Sequence, residues 1–348
     1  MHDSIDSPFM RRALELAALG EGHVAPNPLV GCVIVHQGVI IGEGYHARYG
    51  GFHAEVNAIA SVENSELLME STLYVTLEPC AHHGKTPPCA NLIVEKGIPR
   101  VVIGCRDPFD AVNGKGIEHL RASGVEVMVN VLHQECRLLN KRFFTFHEKK
   151  RPFVILKWAQ SSDGYMDVDR TDGRLGSFMI SHSDTQVLVH RWRAEEASIL
   201  IGKNTALRDN PSLTVRRAEG KNPIRILLSA NPIDLDGMLL SNGEAPTLVI
   251  THETDRTEDH IRYIACGNVH DVNSVLRCLH QENVLSVLVE GGADVLQSFL
   301  DSGLWDEARV ITSTQSLEKG LVAPKIERFP SSEKRSASDT VRYYLNKS

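Results

Sequence analysis

His53 and Glu55 stand two residues apart, and two cysteines follow, Cys80 directly after Pro79 and Cys89 further on. One imidazole and two thiolates are donors that zinc accepts, and three protein ligands leave its fourth position open to water. Metal binding lowers the pKa of that water from about 15.7 toward ~7, so hydroxide becomes available at neutral pH. A carboxylate beside the ligands, Glu55, then moves protons instead of holding metal. The same donors would form a closed structural site if His82 or His83 supplied a fourth ligand. Glu55 separates the two arrangements, because a closed site has no use for it.

Short elements must bring these residues together. Residues 30–35 are a β-branched run, His36-Gln37-Gly38 a turn and residues 39–42 the returning strand, which together read as a hairpin. Residues 53–60 carry apolar side chains at helical spacing, which puts His53 and Glu55 in a first helical turn. Residues 72–77 read as a strand closed by Glu78-Pro79, and residues 89–97 as a short helix ending at glycine. Two helix N-termini then face one cation, and the dipole of the second favours the thiolate of Cys89. Cys32, Cys105, Cys136, Cys266 and Cys278 lie in or near apolar segments and read as core residues.

The rest of the first half supplies a frame of alternating strands and helices. A helix opens at Ser7-Pro8, with Ser7 as its cap, and ends near Gly20. Strands follow at residues 101–104 and 125–129, and an amphipathic helix runs from about 132 to 146. This is a three-layer α/β domain. The polar run from His147 to Arg151, ending at Pro152, marks a linker, so the domains are expected at 1–147 and 152–348. Only the serine- and charge-rich stretch near 331–338 approaches low complexity.

The second half restarts with a strand at 153–159, and further strands are expected at 199–202, 224–228, 247–250 and 286–289. The last runs into Glu290-Gly291-Gly292 and a helix over 293–300. Glycines at such a turn let a phosphate approach free backbone N–H groups. No G-x-G-x-x-G accompanies them, so spacing alone gives an α/β domain with a nucleotide or phosphate ligand.

Composition narrows the class of partner. With 348 residues, 42% of them hydrophobic, the chain can bury two cores. A net charge of −7 argues against a nucleic-acid partner, whose backbone is gripped by basic patches. No apolar stretch reaches the length of a membrane span, and the first residues lack a signal-peptide pattern. The seven cysteines are odd in number and scattered, which fits reduced thiols in a cytoplasmic protein better than a disulfide framework.

The pattern His-x-Glu…Pro-Cys-x-x-Cys is that of zinc nucleobase deaminases, and here eight residues separate the cysteines instead of two. That spacing, with Asn27-Pro28-Leu29-Val30-Gly31, Val75-Thr76-Leu77-Glu78-Pro79-Cys80 and His82-His83-Gly84-Lys85-Thr86-Pro87-Pro88-Cys89, resembles the deaminase domain of the bifunctional riboflavin-biosynthesis deaminase–reductases. The resemblance implies a cytidine-deaminase-like fold and the substrate 2,5-diamino-6-(5-phosphoribosylamino)pyrimidin-4(3H)-one, which loses its 2-amino group as ammonia. It places His53, Cys80 and Cys89 on zinc, Glu55 as the catalytic carboxylate, and Asn27, His46, His82 and Lys85 on the substrate. Asn offers a donor and an acceptor to a ring edge, and Lys a point charge to phosphate.

The second half is similar to the reductase domain of the same family through Lys157-Trp158-Ala159-Gln160, Ala206-Leu207-Arg208-Asp209-Asn210-Pro211 and Val289-Glu290-Gly291-Gly292-Ala293. This implies a dihydrofolate-reductase-like fold that uses NADPH to reduce ribosyl to ribityl. By that resemblance Ala159, Met179, Thr205, Asp209, Gly292 and Ala293 contact NADPH, while Ser177, Arg193, Leu213, Arg216 and Glu290 hold substrate. Lys157 and Glu290 are candidates for the proton that accompanies hydride. The family's Ser-Leu-Asp-Gly is Ser161-Ser162-Asp163-Gly164 here, and Met179 stands where the family has tryptophan. Those departures motivate an alternative, a deaminase whose C-terminal domain only binds or oligomerises. A homo-oligomer, dimer or tetramer, is expected.

Overall fold

The computed structural model describes residues 5–81 and 88–346. The chain divides into two compact units, Met1–Lys149 and Lys150–Ser348. No helix among the described residues is long and apolar enough to cross a membrane.

Unit one runs α1 (Ser7–Ala18), β1 (Gly31–His36), β2 (Val39–Tyr45), α2 (Ala54–Ala60), β3 (Thr72–Leu77), α3 (Cys89–Glu95), β4 (Arg100–Cys105), α4 (Lys115–Ala122), β5 (Glu126–Val129), α5 (His133–Leu139) and α6 (Lys141–Lys149). Its five strands lie in the order β2-β1-β3-β4-β5. β1 is antiparallel to β2 and β3, whereas β3, β4 and β5 are parallel. The hairpin turn is Gln37-Gly38, both at positive φ, the geometry whose twist matches the flanking strands.

Alternation along the strands sends side chains to opposite faces. Ile34, Leu73 and Val75 meet Ala54 and Ala58 of α2, Ile93 of α3 and Leu120 of α4 on one side. On the other, Val33, Tyr74 and Val102 meet Met10 and Ala13 of α1, Cys136 of α5 and Phe143 of α6. These are the three layers expected.

Three details differ from expectation. The cap residue of α1 is Asp6, not Ser7, and its side chain makes no capping bond. Arg100 and Tyr74 take that carboxylate instead, at 2.9 Å each, because burial makes a charged partner worth more to Asp6 than a free N–H. The amphipathic helix expected over 132–146 is two helices that break at Asn140. The Asn140 side chain accepts from the N–H of Leu29 and donates to its carbonyl, both at 2.8 Å, which pins the break to the loop carrying Asn27. α4 was not expected at all.

Unit two runs β6 (Phe153–Gln160), β7 (Tyr165–Val168), α7 (Ser183–Glu195), β8 (Ser198–Gly202), α8 (Lys203–Asp209), β9 (Ile224–Leu228), β10 (Thr247–Thr251), β11 (Arg256–Glu258), β12 (Ile261–Ala265), α9 (Val272–Gln281), β13 (Ser286–Val289), α10 (Ala293–Ser302), β14 (Glu307–Thr312), β15 (Gly320–Val322), β16 (Ser332–Ser336) and β17 (Asp339–Leu345). Ten strands form one sheet, β11-β12-β10-β9-β8-β13-β6-β14-β17-β16. From β12 to β14 every pairing is parallel. Parallel strands are covered on both faces. Val154, Leu156 and Leu200 pack against α9 and α10, while Phe153, Ile155 and Leu288 pack against Val189 and Trp192 of α7. The serine-rich stretch near 331–338 is β16, ordered by pairing with β17.

Candidate functional site

In unit one, α2 lies directly on β2, and glycine permits it. A Cβ at Gly44 would come within 2.3 Å of the Ala58 nitrogen. This close contact sets the start of α2, where His53 is the N-cap and Glu55 lies in the first turn, buried. Cys80 follows the end of β3, and Cys89 is the first residue of α3. Their ligand atoms and that of His53 all lie within 4.8 Å of one another. His53 Nδ1 is 3.7 Å from Cys80 Sγ and 3.3 Å from Cys89 Sγ. Tetrahedral bonds of about 2.0 Å to nitrogen and 2.3 Å to sulfur place such donors roughly 3.5 Å apart. Donor chemistry and spacing both fit zinc.

Electrostatics divide the two thiols. The thiol and the backbone N–H of Cys89, with the His53 ring, hold Cys80 below the usual thiol range against the effect of burial. The bond to Cys80, burial and the Glu55 charge push Cys89 up, so that without a cation only one of the pair is a thiolate, and the favoured Cys89 thiolate expected from its helix position is not found. Cys89 N–H reaches Cys80 Sγ at 3.3 Å. Burial, reinforced by the charge of Cys80, pushes Glu55 up to about 7. A carboxyl in that range can both give and take a proton near neutrality.

His46 stands edge-on to His53, with ring centroids 5.5 Å apart. Its Nδ1 faces the Phe52 carbonyl at 2.9 Å and its Nε2 faces Asn27 Nδ2 at 3.1 Å. A carbonyl only accepts, so Nδ1 carries the proton and Nε2 accepts from the Asn27 amide. The Asn27 oxygen is thereby left as the acceptor for a donor on a ligand. His82 and Lys85 lie outside the described residues.

In unit two, the carboxyl ends of the parallel strands surround a cavity of about 440 Å³. β6 supplies Lys157 and Ala159, α7 supplies Arg193, and α8 supplies Thr205 and Asp209. Ser177 and Met179 line it from the segment before α7, Leu213 from the loop after α8, and Glu290, Gly292 and Ala293 from the β13–α10 turn. Arg216 is not among the lining residues. Its guanidinium turns to Thr214 Oγ1 at 3.3 Å, and its backbone N–H is held by His190 Nδ1 at 3.1 Å. Arg170 and Arg208 also line the cavity; neither stands out in the sequence, although Arg208 lies within the 206–211 segment that resembles the reductase domains. Arg170 pairs with Asp167 and Asp209.

Buried in this cavity is a charge cluster. Glu290 receives Arg193 at 2.9 and 2.7 Å and has Lys157 Nζ at 3.5 Å. Burial alone would raise the Glu290 pKa, but Arg193 and then Lys157 outweigh it and hold the group at about 2. Burial shifts Lys157 downward, partly offset by Glu290. Of the two departures noted in the sequence, Ser162 is turned away, its hydroxyl donating to the Gln315 carbonyl at 2.9 Å. Met179 faces the cavity and is half exposed. A second cavity of about 410 Å³ shares Asn204, Thr205, Gly292 and Asp294 with the first.

Comparison with known proteins agrees with both halves. Residues 3–105 match the cytidine and deoxycytidylate deaminase zinc-binding region, and residues 152–314 match the RibD C-terminal domain. The riboflavin biosynthesis protein RibD of Aquifex aeolicus is 38% identical over 323 residues, which cover 91% of this chain and 89% of that protein. RibD of Bacillus amyloliquefaciens is 40% identical over 310 residues, covering 86% and 82%. Among solved structures, the Thermotoga maritima diaminohydroxyphosphoribosylaminopyrimidine deaminase/5-amino-6-(5-phosphoribosylamino)uracil reductase superposes with a TM-score of 0.84 at 39% identity, covering 99% of both chains. Acinetobacter baumannii RibD gives 0.87 at 30% identity over 98% of both.

Fold and matches define a deaminase domain of the cytidine-deaminase type fused to a reductase domain. The chain belongs to the RibD family of riboflavin biosynthesis proteins, and it is a bifunctional deaminase and reductase.

Proposed function

We propose that this enzyme first removes the 2-amino group of 2,5-diamino-6-(5-phosphoribosylamino)pyrimidin-4(3H)-one by hydrolysis and then reduces the ribosyl group of the product to ribityl with NADPH. The observation that carries the reading is the buried Glu55 carboxyl set two residues from a His53, Cys80 and Cys89 triad spaced for zinc. Zinc, when bound, supplies the Lewis acidity that makes a water nucleophilic near neutral pH. Glu55 takes the water's proton and delivers it to the departing amine, so the carboxyl is restored at each turnover. Asn27, oriented by His46, presents its oxygen to a ring N–H, and His82 and Lys85 are assigned to the substrate and its phosphate.

The reductase reading rests on the cavity of unit two. NADPH would supply a hydride, and the cavity adjoins a second one that shares Thr205 and Gly292 with it. Ala159, Met179, Thr205, Asp209, Gly292 and Ala293 are assigned to the cofactor, and Ser177, Arg193, Leu213 and Glu290 to substrate. Arg216 is assigned to the phosphate terminus, which requires its guanidinium to leave Thr214. Lys157, its charged form disfavoured by burial and retained by Glu290, is the proposed source of the accompanying proton. We further assign the enzyme to the cytoplasm as a dimer or tetramer.

The test is one reaction mixture containing the diaminopyrimidinone substrate, with ammonia release and NADPH oxidation followed together. Wild type releases ammonia and consumes NADPH in equal amounts. Glu55→Gln loses roughly 10²- to 10⁴-fold in ammonia release while keeping its zinc, and still oxidises NADPH when given the deaminated compound. Ammonia without NADPH loss would overturn the reductase half; undiminished ammonia from Glu55→Gln would overturn the role of the carboxyl.

A further inference from the structure

Glu78 is the residue between the end of β3 and Pro79-Cys80, and at 4% exposure it is a buried carboxylate. All four of its hydrogen bonds come from backbone N–H groups. Oε1 accepts from Gly116 at 3.0 Å and Ile117 at 3.2 Å, and Oε2 from Gly114 at 2.9 Å and Asp107 at 3.2 Å. Three of these donors belong to the start of α4, whose N-cap is Gly114. A carboxylate there satisfies N–H groups that have no partner within the helix and sits at the favourable end of its dipole. Its own N–H donates to the Cys105 carbonyl at 3.0 Å, extending the β3–β4 pairing by one residue.

The bonds bring α4 hard against the metal loop. A Cβ at Gly116 would lie 2.0 Å from the Pro79 carbonyl oxygen, so the first turn of α4 touches the peptide that leads into Cys80. Cys80 is thus held from both sides, by the Cys89 N–H at 3.3 Å in front and by the clamped α4 behind.

We infer that Glu78 is the positioning residue of the metal loop, its carboxylate gathering the backbone of residues 107–117 to hold Pro79-Cys80 where the ligand triad needs it. The inference rests on the zinc reading of His53, Cys80 and Cys89. Groups that hydrogen-bond a ligand directly are typically worth about 10- to 100-fold in metal affinity, and Glu78 reaches Cys80 through the backbone that it gathers. In Glu78→Gln one oxygen remains to accept, while the new NH2 faces N–H donors and leaves two of the four unsatisfied.

The experiment compares wild type, Glu78→Gln and Glu118→Gln, an exposed change on the same helix, as whole chains. Zinc affinity is measured by competition with a chelator. Visible absorption of the cobalt-substituted proteins reports ligand geometry, and retained amide-exchange protection in β3 and β4 of the same samples reports that unit one is folded. Glu78→Gln is expected to lose about 10- to 100-fold in zinc affinity and to alter the cobalt bands, with Glu118→Gln like wild type. Because coupling is reciprocal, a second measurement needs no variant: amide exchange at Gly114, Gly116 and Ile117 in wild type slows when zinc is loaded. Unchanged affinity and bands in Glu78→Gln, or exchange at those amides indifferent to zinc, would overturn the inference. A wild type that takes up neither metal would instead sink the zinc reading itself, and this inference with it.

Discussion

Glu290 carries two cations, Arg193 in a forked pair and Lys157 at 3.5 Å, in a site where its own side chain is 8% exposed. Removing one member of such a cluster leaves uncompensated charge out of water, which costs about 3–5 kcal/mol. Because its folded pKa of about 2 lies below the ordinary 4.5, Glu290 binds its proton more readily in the unfolded chain. Its contribution to stability is therefore complete above about pH 4.5 and fades as pH falls toward 2. Denaturation curves from pH 6 to pH 2 check this: the gap between wild type and Glu290→Gln is expected to be about 3–5 kcal/mol near neutrality and to close on acidification. A gap that stays constant with pH would mean that Glu290 is not the ionised centre of the cluster. At this scale sequence reading does best where chemistry is local. His-x-Glu and the two cysteines name themselves by donor type, and Lys157 and Glu290 by standing polar at the ends of apolar strands. Glu78 stayed hidden because a glutamate before Pro-Cys looks like the end of a strand, and its partners are backbone groups 29 to 39 positions away.

The joint between α5 and α6 shows how a single side chain outweighs periodicity. Apolar positions continue at helical spacing through residues 132–146, so nothing in the pattern marks a break. Yet Asn140, 5% exposed, leaves helical geometry with φ −104 and ψ 25 to bond both backbone groups of Leu29. Two partly buried bonds worth about 0.5–1.5 kcal/mol each offset the helical ones given up. Asn140→Ala is expected to lower the stability of unit one by about 1–3 kcal/mol in urea denaturation and to raise the KM of deamination with zinc content unchanged, since Leu29 is two residues from Asn27. An unaltered KM would show that the clamp serves folding alone. β16 makes the converse point. Ser332–Ser336 is mostly exposed and has little strand character of its own, and it is ordered by its ladder to β17, a partner 3 to 11 residues on. Its glutamate, lysine and arginine then discourage pairing at the free edge of the sheet. The strands that were legible, β1 to β6, β8 to β10 and β13, are apolar enough to declare themselves without their neighbours.

Each unit of the molecule contains a whole set of chemical groups. His53, Glu55, Cys80 and Cys89 come from unit one, and every residue lining the cavity of Glu290 comes from unit two. Among the described residues each of these two sets comes from a single unit, so the two reactions are expected to be separable. Metal removal separates them. Stripping zinc with a chelator is expected to abolish ammonia release while NADPH oxidation, with the deaminated compound supplied directly, continues at the untreated rate. Returning zinc is expected to restore ammonia release, because His53, Cys80 and Cys89 already stand together with their ligand atoms within 4.8 Å of one another. With the diaminopyrimidinone as sole substrate, the stripped enzyme consumes no NADPH, since the second reaction receives nothing to reduce. If chelation slowed reduction of the deaminated compound as well, unit one would be acting on unit two through the protein itself, and the separation of the two sites by unit would not extend to their function.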